Sequence, residues 1–155
     1  MKACREVHGR RYDGGPMAPL KATIEMRTPE KFDATGYLGS RVLIHDPKEG
    51  EPRQGPGPME VMLLGVGGCT AVDIVDILRK QRESIDAFRI EIEAERAPKP
   101  PRVFTKIRMT YVLRGPRKEA NVKRAIDLSM EKYCSASIML KRGGVAIVTS
   151  YRIEK

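Results

Sequence analysis

Tryptophan is absent from this chain of 155 residues, and five Tyr and three Phe are its only aromatic side chains. So few rings leave little for the bases of a single-stranded nucleic acid to stack on. Histidine is nearly as scarce, with two residues, His8 and His45, so a zinc hydrolase centre or a Cys-His protease site has little material to be built from. Three cysteines, Cys4, Cys69 and Cys134, are too few and too widely spaced for the disulfide framework of a small secreted domain. The opening stretch MKACREVHGRRYDGG has no apolar core and does not read as a secretory signal. No apolar run is expected to approach the roughly 20 residues of a membrane span. The expected setting is therefore the cytoplasm, where thiols stay reduced and a redox or catalytic thiol is worth considering.

What is present fits a soluble globular protein: 41% hydrophobic and 32% charged residues, on a chain of single-domain length. Such a length buries a core without staples. The formal charge of +9 raises the question of nucleic acid. Its cations are interspersed with acids, however, as in EIEAERAPKPPR and RGPRKEANVKRA, and neither a zinc-finger spacing nor an RNP-like aromatic box occurs. The charge reads as a solvated basic surface, and nucleic acid is disfavoured as a partner.

Residues 1–19 are polar and rich in Gly, Pro and Arg, a variable lead-in to a single domain over 20–155. Cys4 and His8 within it read as an incidental pair. Alternation of Ala22, Ile24 and Met26 predicts a half-buried strand, TPEKFD reads as a turn, and strand character resumes around Arg41–His45. His45, at a strand end, is expected at the surface. The Pro- and Gly-dense stretch from Asp46 to Pro58 is a loop leading into a helix. The helix that follows, MEVMLLGVGGCTAVDIVDILRKQRE, is apolar all round from Val61 to Gly68 and so must be covered on every side.

At about 100° per residue, Asp73, Asp76 and Lys80 fall within roughly 40° of Cys69, as do Met62 and Gly65. The two acids read as solvating that face or pairing with Lys80. Gly67 and Gly68 cost the helix about 1 kcal/mol each relative to Ala, which marks a close approach by a neighbouring backbone or a substrate. Alternation in AFRIEIEAER puts Phe88, Ile90, Ile92 and Ala94 on one face of a strand. In the next, Val103, Thr105, Ile107, Met109, Tyr111 and Leu113 share a face. A helix with the stripe Val122, Ile126, Ser129 and Tyr133, a short helix after Cys134, and the strand VAIVTSYRI complete the chain. The order βββ-α-ββ-α-α-β predicts an α+β fold, an antiparallel sheet of about six strands wrapped around a long central buried helix. One such sheet hardly covers that helix, so a homodimer with extensive apolar contact is expected.

The two cysteines of the folded region sit in unlike settings. Cys134 precedes a short helix, whose free amides and dipole favour a thiolate, whereas mid-helix Cys69 depends on a cation supplied by the fold. Together they could form a sulfenic acid with peroxide and close a disulfide; separately, each could be a buried small hydrophobe. His45 beside Asp46 could act as a base, and GPGP lacks the Gly-Lys-Ser/Thr of a phosphate-cradling loop.

At GPGPMEVMLLGVGGCTAVDIVDILRKQR, followed by LSMEKYCSASIML, the chain resembles the OsmC/Ohr family of osmotically inducible and organic hydroperoxide resistance proteins. The resemblance covers about residues 20–155 and is closer to the OsmC-like branch that carries Pro-Met-Glu and Gly-Gly-Cys-Thr. It implies an intertwined homodimer with active sites at the subunit interface. It implies a thiol-dependent peroxidase that reduces organic hydroperoxides, with Cys69 peroxidatic and Cys134 resolving. No metal or bound cofactor is implied, and a dithiol such as a lipoyl group, or another thiol, is the implied reductant. Peroxidase members carry a Glu ten residues before the central Cys to support an Arg; here Met59 holds that place and Glu60 lies nine before. Arg27, Arg41 and Arg53 are the candidates for the supporting Arg. Met62 and Val66 near Cys69 favour apolar peroxides. The alternative is a non-catalytic binding protein for a small apolar or electrophilic ligand at the dimer interface.

Overall fold

The structure, a computed structural model, describes residues 6–7, 10–11, 19–116 and 118–154. Cys4 and His8 lie outside the described residues, as does most of the 1–19 lead-in. The lead-in's described part is a two-residue antiparallel pair, β1 (Glu6–Val7) with β2 (Arg10–Arg11). The chain forms two compact units, one over 13–64 and one comprising 1–12 with 65–155.

In the 13–64 unit, β3 (Thr23–Thr28), β4 (Lys31–Thr35) and β5 (Arg41–His45) form an antiparallel meander in that order. The turn expected at TPEKFD is confined to Pro29-Glu30, and its second half is strand β4. Contrary to the half-buried reading of β3, Ile24 and Met26 are exposed, Met26 at 69%. Their alternation is real, but the face they define is uncovered within one chain. His45 is also corrected: it is 1% exposed, not at the surface. The loop before α1 folds back over the strand end, so His45 N–H donates to the Pro56 carbonyl at 3.1 Å and Gln54 N–H donates to His45 Nδ1 at 3.0 Å.

Helix α1 (Pro58–Lys80) starts on a proline, which loses nothing at a position whose amide has no helical acceptor. Glu60 reaches back to accept from the Gly57 amide at 3.3 Å, half of a capping box. By length and composition α1 could cross a membrane, with a mean hydropathy of 1.9, a length the sequence reading had not granted it. One such helix is weak evidence, because the core helix of a soluble protein has the same composition. Here α1 buries Val66, Ile74 and Leu78 together with Thr70 and Asp73. Met62, Leu64 and Val72 stay exposed, so a single chain covers only part of its apolar circumference.

In the other unit, β6 (Ala87–Arg96), β7 (Phe104–Arg114) and β8 (Ala146–Glu154) make a second three-stranded sheet. The α+β class holds, with two small sheets in place of one of six strands. The pairing of β7 with β8 is parallel, where an antiparallel sheet was expected. The reason is the connection. Helix α2 (Glu119–Leu128), a π-helical turn (Ser129–Tyr133) and α3 (Ser135–Arg142) lie between them, and a helical crossover returns the chain in the same direction.

Ile107, Met109, Tyr111 and Leu113 of β7 are buried with Val122 and Ile126 of α2, as their spacing predicts. Val103 and Thr105 fall out of that face and Phe104 takes the buried place, since the β6–β7 register shifts between Glu95 and Arg96. A Cβ on Gly67 would stand 2.6 Å from Ile92 Cδ1, so this glycine lets α1 approach β6.

Gly115 ends β7 with φ +112°, and a Cβ there would meet the Asp86 amide nitrogen and the Ser84 carbonyl oxygen at 2.9 Å. Gly115→Ala is expected to lower stability by about 1–3 kcal/mol in a urea titration, because both the backbone angle and the space oppose a side chain. An unchanged midpoint would show that the turn relaxes freely.

Candidate functional site

Cys69 and Asp73 are four residues apart on α1, which places them one above the other on one helix face. Asp73 is only 3% exposed, and an uncompensated buried carboxylate is costly. Ser129 answers part of that cost: its hydroxyl donates to Asp73 Oδ2 at 3.1 Å. Ser129 opens the π-helical turn, whose widened ring closes with the Cys134 amide donating to the Ser129 carbonyl at 2.9 Å. The chain then leaves the helical region at Cys134, with φ −72° and ψ 98°.

Cys134 caps α3. Its Sγ accepts from the Ser137 amide at 3.3 Å, and the Ser137 hydroxyl donates to the Cys134 carbonyl at 3.0 Å. These pairings bring the Cys69 sulfur, the Cys134 sulfur and an Asp73 carboxylate oxygen within 4.8 Å of one another. Both cysteines are free thiols, Cys69 half-buried and Cys134 fully buried.

The helix-start position that favours a Cys134 thiolate is present in the Ser137 hydrogen bonds, but it does not win. Burial pushes the Cys134 thiol up to about 11, and the neighbouring Cys69 adds to that rise. A thiol in that state is a proton donor, not an anion, at neutral pH. Tyr111 is pushed up to about 12, first by burial, against a hydrogen bond with Thr70, and further by the charges of Cys134 and Asp73. Its hydroxyl donates to Met109 Sδ at 3.5 Å.

Asp73 is the correction that matters most here. It does not solvate a helix face, as expected, but is a buried neighbour of both sulfurs. Asp76 does pair with Lys80, at 2.8 Å. The helical angle already aligned Asp73 with Cys69; the sequence carried no sign of the serine that would bury it. Asp73 also lines an open cavity of about 410 Å³ beside α1 and α2, with Asp76, Lys80, Asn121, Arg124 and Tyr133.

Glu60 and the three candidate arginines belong to the 13–64 unit. Arg53 Nη1 meets Glu60 Oε2 at 2.9 Å, so Glu60 does hold an arginine. Arg27 is engaged by Asp33 through two bonds of 2.9 and 2.8 Å, and Arg41 opens β5 with its side chain exposed. Val66 is buried, while Met62 is exposed.

The family description OsmC-like protein matches residues 49–150, which include both cysteines and Asp73. This chain belongs to the OsmC-like family. It is 40% identical over 135 residues to Protein YhfA of Escherichia coli (strain K12), covering 86% of this chain and 98% of that protein. Among solved structures of OsmC-like fold, a hypothetical protein from Aquifex aeolicus VF5 superposes with a TM-score of 0.79 at 27% identity, over 89% of this chain and 98% of that one. The organic hydroperoxide resistance protein OhrB of Bacillus subtilis shares the fold, with a TM-score of 0.61 at 19% identity over 87% of this chain and 98% of that one.

Two outcomes follow from the OsmC-like site. Iodoacetamide at neutral pH should modify Cys69 well before Cys134 in the folded protein, as followed by peptide mass spectrometry; equal rates would contradict the burial of Cys134. Between its ordinary 9.0 and about 11, the Cys134 thiol keeps in the folded state a proton that the unfolded state releases. Folding stability should therefore fall as pH rises through that window, with Tyr111 acting in the same direction. Urea midpoints at increasing alkaline pH measure it.

Proposed function

We propose that the protein is a thiol-dependent peroxidase that reduces organic hydroperoxides. The observation that carries this reading is the convergence of two free thiols, 65 residues apart in the chain, in one small cluster. Cys69, the more exposed sulfur, is the peroxidatic thiol. It attacks the distal oxygen of the peroxide, whose O–O bond breaks, and the thiol proton leaves with the alcohol. The Cys69 sulfenic acid is then attacked by the Cys134 sulfur, the S–O bond breaks, and the sulfenic oxygen departs as water with the Cys134 proton. The sum is two thiols and one hydroperoxide giving one disulfide, one alcohol and one water.

A dithiol of lipoyl type returns the pair to thiols by exchange, which suits a reducing, cytoplasmic setting. Burial of Cys134 suits its role, because a resolving thiol is spared direct reaction with peroxide until Cys69 has been oxidised. The Glu60–Arg53 ion pair supports a part for those two residues, whereas Arg27 is held by Asp33.

The working unit in this reading is a homodimer. Met62, Leu64 and Val72 of α1 and Ile24 and Met26 of β3 are apolar and exposed in one chain, Leu64 at 59%, and a second copy would cover them. Sedimentation should return about twice the 17.4 kDa of one chain, and Leu64→Glu should shift it towards the monomer. A wild-type monomer at micromolar concentration would contradict the dimer.

The enzymatic claim is tested by consumption of an alkyl hydroperoxide, with hydrogen peroxide in parallel, in the presence of dihydrolipoamide. Wild type should turn over; Cys69→Ser should be inactive; Cys134→Ser should react once and stall without an exogenous thiol. A folded wild-type protein that consumes neither peroxide would remove the reading in favour of a non-catalytic binding protein, which Met59, in the place of an activating Glu, favours.

A further inference from the structure

We propose that the reduced protein binds one soft divalent cation, Zn²⁺ by preference, through Cys69 Sγ, Cys134 Sγ and the Asp73 carboxylate. These three atoms come from two separate segments and lie within 4.8 Å of one another. A tetrahedral zinc with bonds of about 2.3 Å to sulfur and about 2.0 Å to oxygen spaces its ligands about 3.5–3.8 Å apart. Small side-chain rotations close the difference. Two thiols and one carboxylate form a donor set that selects Zn²⁺ over Mg²⁺ or Ca²⁺, which take oxygen ligands throughout.

The surroundings are those of a built site. Ser129 orients the Asp73 carboxylate through its 3.1 Å bond. The Ser137 amide fixes the Cys134 sulfur at 3.3 Å. Partners of this kind hold ligands in place for a metal. Three protein ligands leave a fourth position for water. Because the site uses the same sulfurs as the proposed disulfide, metal and disulfide exclude each other, but binding does not depend on any reaction with peroxide.

The test uses the reduced full-length chain in a Cys4→Ser background, which removes the third thiol. Zn²⁺ is titrated against a chromophoric chelator, and Co²⁺ serves as the spectroscopic probe. The expected result is one metal per chain with sulfur-to-cobalt charge transfer and tetrahedral visible bands. Cys69→Ser and Cys134→Ser should each weaken binding by more than about 100-fold, and Ser129→Ala by about 10–100-fold, with folding checked by circular dichroism. Zn²⁺ should also protect Cys69 from iodoacetamide. Absence of binding in the reduced protein, binding indifferent to Cys134→Ser, or octahedral cobalt spectra would overturn the proposal. Peroxide turnover is measured separately, so a protein that turns over without binding Zn²⁺ loses this site alone, and one that binds without turnover keeps it.

Discussion

A carboxylate withdrawn from water in the middle of an otherwise apolar helix governs the arrangement of this molecule's chemistry. Asp73 requires a donor where α1 packs, and Ser129 provides it at 3.1 Å. That serine is also the first residue of the π-helical turn, and its carbonyl takes the Cys134 amide. Holding the acid thus fixes the serine, the serine's backbone fixes the turn, and the turn delivers the second sulfur to the first. The five-residue closure of that turn, wider than a regular α-helical one, sets where Cys134 leaves the helix.

Environment then distinguishes two chemically identical groups. Cys134 has the hydrogen bonds of a helix start, an arrangement that ordinarily favours an anionic sulfur, yet burial prevails and its thiol is pushed up to about 11. Desolvation outweighs one or two amide hydrogen bonds when the whole side chain is out of water. Cys69, in the same cluster, is only half-buried. One cysteine is half-buried and the other wholly buried, a difference set by packing, since both begin as the same thiol.

Much of this fold was legible in the chain, because its strands alternate and its helices keep their spacing. Phe88, Ile90 and Ile92 face inwards on β6, and Ile107, Met109, Tyr111 and Leu113 on β7, as period two requires. The limits of Arg41–His45 were equally plain, whereas Pro58, read as the end of the loop, is the first residue of α1. Features that depend on distant partners were not. The direction of β8 is set by the crossover before it, the burial of His45 by a loop folding back, and the start of β4 by a turn of only two residues. At the site, both cysteines stood out in the sequence, and Asp73 was correctly aligned with Cys69. Its burial was not foreseeable, because a serine 56 residues away decides it. Exposed Ile24 and Met26 carry a further lesson: alternation reports which face is apolar, not whether the same chain covers it.

The long chain separation between Cys69 and Cys134 has a thermodynamic side. Any bond that joins residues 65 positions apart closes a large ring, and the entropy it removes from the unfolded chain is worth about 4 kcal/mol. That is a sizeable share of the 5–15 kcal/mol by which most domains exceed their unfolded states. A chain whose sulfurs are tied would therefore resist heat, denaturant and proteases better than the same chain with its sulfurs apart. Resistance to degradation would rise and fall with the redox history of the compartment, without any change in the amount of protein made.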